Sequence, residues 1–201
     1  MSRHSLIESF ARNGRTIEIH LDDDPQNPRK EWSNTATFVC AHGRYNLGDE
    51  QGEPCDEAEL RERISDILVV MPLYLYDHSG LTISTSAFGD RWDSGQVGWA
   101  YVTKSALDEG GWKTQPSDEE LQKLIESEVS EYDDYLRGNV YGYVVKGADG
   151  DHLDSCWGFI GDLSYVREEA IQACDGADDP ADDRKAEELA GRVTYAAGDV
   201  P

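Results

Sequence analysis

Asp66-Ile67-Leu68-Val69-Val70-Met71-Pro72-Leu73-Tyr74-Leu75-Tyr76-Asp77-His78-Ser79-Gly80-Leu81-Thr82-Ile83-Ser84 is the stretch on which the fold class turns. Ile67 to Tyr76 is the most apolar run of the chain and is rich in β-branched and aromatic residues, so it reads as a buried strand. Its length is about half the ~20 residues that a membrane-spanning helix needs. Pro72 lacks an amide proton and places a bulge or a local edge inside the strand. Asp77-His78-Ser79-Gly80 has the residue types of a tight turn, and Leu81 to Phe88 alternates apolar and polar residues again. The pair is therefore an antiparallel hairpin.

Further strands are legible by the same alternation at Thr16–Leu21, Thr35–Ala41 and Val97–Thr103, and at Asn139–Lys146 and His152–Ile160 around the Gly/Asp-rich turn 147–151. Ser5–Asn13 reads as a frayed or short helical start, and the polar, proline-containing segment 22–30 as a loop. Asp56 can cap a short helix through Ile64. Ser105–Trp112 and Ser164–Ala173 are two more short helical segments. Ser117-Asp118-Glu119-Glu120 is a capping box. Behind it Leu121, Leu124, Ile125, Val129, Tyr132, Tyr135 and Leu136 form one stripe, which predicts an amphipathic acidic helix over about 118–137. The expected architecture is α+β: a mostly antiparallel sheet of about six or seven strands, covered mainly on one face by that helix. Residues 1–174 are read as a single domain and 175–201 as an acidic tail, solvated or forming a loosely docked helix.

Charge is the strongest compositional signal: 41 Asp and Glu face 18 Lys and Arg over 201 residues, a formal net charge of −23. Such a surface repels phosphate backbones and anionic lipid, which argues against direct nucleic-acid or membrane binding. Three sources of the acidity remain open: adaptation to high salt, in a halophilic source; an acidic face that docks on a basic protein; and cation binding. Cys40, Cys55, Cys156 and Cys174 form no CxxC pair, so they read as free thiols of a cytoplasmic protein, with Cys40 and Cys156 in the core. The first residues carry no apolar segment of the kind that directs export.

Arg44-Tyr45-Asn46-Leu47-Gly48-Asp49, Pro72 to Gly80, Trp92-Asp93-Ser94-Gly95-Gln96-Val97-Gly98-Trp99 and Asp154-Ser155-Cys156-Trp157-Gly158-Phe159 resemble the signature blocks of an uncharacterised family of proteins encoded by phages, plasmids and other mobile elements. The segment Glu128 to Tyr143 resembles it as well. The likeness runs from about residue 17 to about 161. It carries no activity, cofactor or catalytic residue, and it implies a context: small accessory proteins of mobile elements, which often counter host defence.

Three constellations are candidates for function. His42, Asp49, Asp77, His78, Asp90, Asp93 and Asp154 concentrate at predicted loops, and an enzyme or metal reading needs Asp77, His78 and Asp93 to converge. No spacing there matches a named catalytic or metal motif, and the preferred reading is turn chemistry with these side chains on separate faces. The loop Trp92 to Gln96 combines an aromatic, an acid and a flexible backbone and suits a ligand pocket with Gln96 reading a polar group. The plainer reading makes Trp92 a core plug. On the helix, Glu119, Glu120, Glu126, Glu128, Glu131, Asp133 and Asp134 either form a solvated face or imitate a row of phosphates. The resulting expectation is a DNA-mimic-like, anti-CRISPR type of inhibitor that acts by binding the basic surface of a host nucleic-acid-handling defence complex. The alternatives are a small metal-dependent or ligand-binding enzyme at the Asp77/His78 and Trp92–Gln96 loops, and a halophilic phage or plasmid protein whose acidity is only salt adaptation.

Overall fold

The hairpin around Asp77–Gly80 forms as its sequence predicts: Tyr74 to Asp77 pair antiparallel with Leu81 to Ser84, and the His78 amide donates to the Gly80 carbonyl at 3.2 Å. In this computed structural model residues 5–177 are described, and they combine helices with predominantly antiparallel sheets in an α+β fold. The strands are β1 (Leu6–Arg12), β2 (Arg15–Leu21), β3 (Thr37–Cys40), β4 (Glu50–Gln51), β5 (Ile67–Asp77), β6 (Leu81–Ser84), β7 (Ser94–Thr103), β8 (Val140–Lys146) and β9 (His152–Ile160). The helices are α1 (Pro28–Glu31), α2 (Glu57–Arg63), α3 (Lys104–Glu109), α4 (Asp118–Leu136) and α5 (Leu163–Gly176).

Two sheets replace the single sheet expected: a four-stranded one in the order β1-β2-β8-β9 and a five-stranded one in the order β4-β3-β7-β5-β6. Alternation announces a strand without naming its partner, and β2 pairs with β8 across the whole of the intervening chain. Contacts accordingly divide the chain, read from sequence as one domain over 1–174, into two compact units. Among the described residues, one comprises 5–25 together with 140–177, and the other 26–139. Each has its own core. Of the acidic tail read over 175–201, Asp175 and Gly176 belong to the end of α5, and residues 178–201 lie outside the described residues.

In the first unit, β1 corrects the helical start expected over Ser5–Asn13. Asn13 and Gly14 take positive φ of 53° and 77°, the conformation a two-residue hairpin turn needs, and Arg12 pairs with Arg15 across it. The Asn-Gly pair was a legible hairpin signal, and it outweighs a weak helical pattern in so short a segment. Ile17, Ile19, Tyr143 and Val145 pack against Val166, Ala170 and Cys174 of α5. Cys156, expected in the core, is exposed: it lies on β9, the edge strand of this sheet, opposite Tyr143, where no further strand covers it.

In the second unit, Phe38, Leu73, Leu75, Ala100 and Val102 share a core with Leu121, Ile125, Val129 and Tyr132 of α4. Ser117 starts that helix through its capping box: Glu120 accepts from the Ser117 amide at 2.8 Å and the Glu120 amide donates to the Ser117 hydroxyl at 3.3 Å. At Pro72 strand β5 has β7 as its strand neighbour, since β6 reaches only to Tyr74, and the register shifts between Leu73 and Tyr74. Pro72 therefore sits where a missing amide interrupts no second ladder.

Arg29 joins the elements of this unit. Its side chain is 1% exposed, and four of its donors are bonded: Nε and Nη2 to the two Asp49 carboxylate oxygens (3.1 and 2.5 Å), Nη2 also to the Ala36 carbonyl (2.6 Å), and Nη1 to Glu128 of α4 (2.7 Å). The guanidinium stacks on Phe38, 3.7 Å from the ring centroid. Both carboxylates are held in turn by backbone amides, Glu128 by Thr35 and Ala36 and Asp49 by Phe38. Gly48, at φ 67°, lets the chain pass where a Cβ would lie 2.7 Å from the Phe38 carbonyl oxygen, and its amide donates to the Tyr132 hydroxyl at 3.0 Å. Burial pushes that phenol up to about 12, so it remains protonated. Removing the cation leaves two carboxylates facing each other with little water. Arg29→Met is expected to cost about 3–5 kcal/mol in urea unfolding, and a loss below about 1 kcal/mol would show that the pair does not hold the unit together.

Candidate functional site

Asp77, at the end of β5, receives its neighbours from two loops. Its amide donates to the Asp93 carbonyl at 2.8 Å, its carboxylate accepts from the Arg44 guanidinium, and the Tyr45 hydroxyl lies 3.5 Å from its other oxygen. His78 Nδ1 is 3.0 Å from the Asp93 carboxylate. The expected separation of Asp77, His78 and Asp93 is thus corrected: the hairpin turn and the 90–93 turn lie side by side because β5 and β7 are paired up to Tyr76 and Ser94.

The Trp92 loop is internally braced. Asp90 accepts from the amides of Trp92 (2.7 Å) and Asp93 (3.2 Å), and the Ser94 hydroxyl donates to the Asp90 carbonyl. Those two amide bonds, Trp92 first, hold the Asp90 carboxyl below its usual range. Trp92 itself is 94% exposed, which overturns the core-plug reading. Leu75 and Val97, which line the same depression, are the buried apolar residues there. Arg44, Asp77, Trp92, Asp93, Gln96 and His42 line one open depression of about 320 Å³. Gln96, at its rim, also donates to the Gly98 carbonyl at 3.3 Å. His42 stacks on Tyr45 and its Nδ1 accepts from the Arg44 and Tyr45 amides, so this imidazole shapes the loop. Of the remaining loop acids, Asp49 serves Arg29, and Asp154 of β9 accepts from the Ser155 amide. Among the described residues no group of three or more His, Cys, Asp or Glu is arranged to hold a metal ion.

The acids of α4 divide between structure and surface. Glu128 is bound to Arg29. Asp133 accepts from the Ile83 amide at 2.8 Å, covering an outward amide of edge strand β6, and pairs with Arg137. Burial nevertheless raises its carboxyl above the ordinary value. Asp134 accepts from Asn139, Glu120 completes the capping box, and Glu119 pairs with Lys123 in an exposed contact. Glu126 is exposed and Glu131 half-buried. A continuous row of seven free carboxylates is therefore not what this helix presents. No described helix is long and apolar enough to cross a membrane.

No protein-family model, no curated protein and no solved structure matches the chain.

Arg29, Arg44 and Tyr45 are scaffold and site residues that the local sequence pattern leaves unmarked. Their role depends on partners far along the chain, which local pattern does not reveal. Glu131 offers a test of the charge balance on α4: desolvation first, then Glu128, raise its carboxyl above the ordinary range. A raised carboxyl means that folding disfavours the ionised form. The penalty is complete above the folded-state value and disappears as pH falls to the ordinary carboxylate range. Glu131→Gln is thus expected to melt higher than the parent at neutral pH, with the gap closing below about pH 4.5. A gap independent of pH would refute this assignment.

Proposed function

We propose that this chain acts by binding, and that its partner presents a basic surface belonging to a host nucleic-acid-handling defence complex. The observation that carries the binding part is Trp92: a large aromatic, 94% exposed, standing on a hydrogen-bonded turn beside Asp77 and Asp93. An exposed tryptophan on a rigid support loses little freedom on docking and buries a large area, which is why such residues anchor interfaces. A net charge of −23 supplies long-range attraction for a cationic partner and repels nucleic acid itself. The resemblance to mobile-element proteins supports the defence context. The contact surface differs from the helix-centred expectation: Glu119, Glu126 and the Trp92 loop are available to a partner, whereas Glu128 and Asp133 already serve the fold.

A second reading, a small-ligand site at the same loop, is favoured by the convergence of Asp77, Trp92, Asp93 and Gln96 on one depression. A purely halophilic origin of the acidity leaves the exposed Trp92 without a role. The readings separate in one experiment. Binding to the purified defence complex, measured by calorimetry, is expected to weaken by about 2 kcal/mol in Trp92→Ala and to fall as salt is raised through physiological strength, where screening acts over ~8 Å. The thermal stability of the variant should match that of the parent. Binding that is unaffected by both the substitution and salt would sink the proposal.

A further inference from the structure

Resting on that binding reading, we infer that the Trp92 depression takes an arginine side chain of the partner, and that Arg44 holds this place in the free protein. Three groups that recognise a guanidinium meet here: the exposed indole face of Trp92, the carboxylate of Asp77 and the carboxylate of Asp93. The depression already contains one guanidinium on a carboxylate and an aromatic ring. Arg44 is bound to Asp77 and lies 5.3 Å from the Tyr45 ring centroid. That contact is weakly held, since the Arg44 side chain is 70% exposed and a single exposed ion pair is screened by water and salt.

The opposite ligand chemistry is poorly served. Arg44 is the site's one permanently cationic side chain, it is neutralised by Asp77, and His42 Nδ1 is engaged by two backbone amides. An anion entering the depression would meet Asp93 as well. A planar guanidinium gains more than an ammonium because it can lie on the indole while its fork addresses a carboxylate. Arg44 thus acts as a built-in competitor that keeps Asp77 satisfied until a basic segment arrives, and the partner's arginine displaces it.

The test is an NMR titration of the full chain with N-acetyl-arginine amide, N-acetyl-lysine amide and N-acetyl-glutamate amide, on the parent and on Arg44→Ala, Arg44→Gln and Trp92→Ala. The arginine probe should shift the Trp92 indole and the amides of Asp77 and Asp93, and should bind more tightly than the lysine probe. Trp92→Ala should weaken it about two- to five-fold. Both Arg44 variants should tighten it by a similar factor of about two to five, because the internal competitor is gone. Unchanged amide spectra away from the loop establish that the variants are folded. Equal or weaker arginine binding in both Arg44 variants overturns the displacement, as does preferential binding of the glutamate probe. The broader reading fails separately, if Trp92→Ala leaves binding to the defence complex intact.

Discussion

A single buried cation organises the unit formed by residues 26–139. Arg29 lies between Asp49, which follows β3, and Glu128, in the middle of α4, and both carboxylates also take backbone amides from the Thr35–Phe38 segment. Loop, strand and helix are thereby fixed to one guanidinium, and the face of Phe38 completes the cage. Two carboxylates around one arginine leave a net negative charge that only the amides and the remaining solvent exposure offset. The arrangement specifies geometry more than it adds stability.

This clamp also bears on the meaning of the acidity. A helix rich in Asp and Glu looks like a uniform charged face, yet α4 uses Glu128 and Asp133 to hold a loop and an edge strand. Glu119 and Glu126 remain on the surface. The acidic character of the chain is therefore partly architectural, and the outward-facing feature that stands apart from it is apolar: Trp92 on its braced turn.

Sequence blocks that are distant along the chain acquire physical roles in this light. Asp49 and Gly48 of one block serve the Arg29 clamp and the Tyr132 hydroxyl. Asp77 and His78 of another meet the Trp92-Asp93 turn of a third. Sequence blocks that lie far apart are thus parts of two local constructions, one that holds the helix and one that presents an aromatic beside carboxylates.

Local pattern alone determined the elements whose signals are local: the Asp77–Gly80 hairpin, the capping box of α4, the apolar stripe beneath it and the 147–151 turn all follow from residue types within a few positions. The Asn13-Gly14 hairpin belongs to the same class, since its turn signal is contained in two adjacent residues. Tertiary structure decided the rest. Whether β2 pairs with a near or a distant strand, whether Cys156 faces a core, whether Arg29 is a loop cation or a buried one, and whether Trp92 plugs or protrudes depend on groups contributed by remote parts of the chain. The physical reason is that backbone propensity and periodicity act over a turn or a pleat. Burial and ion pairing are properties of the completed packing.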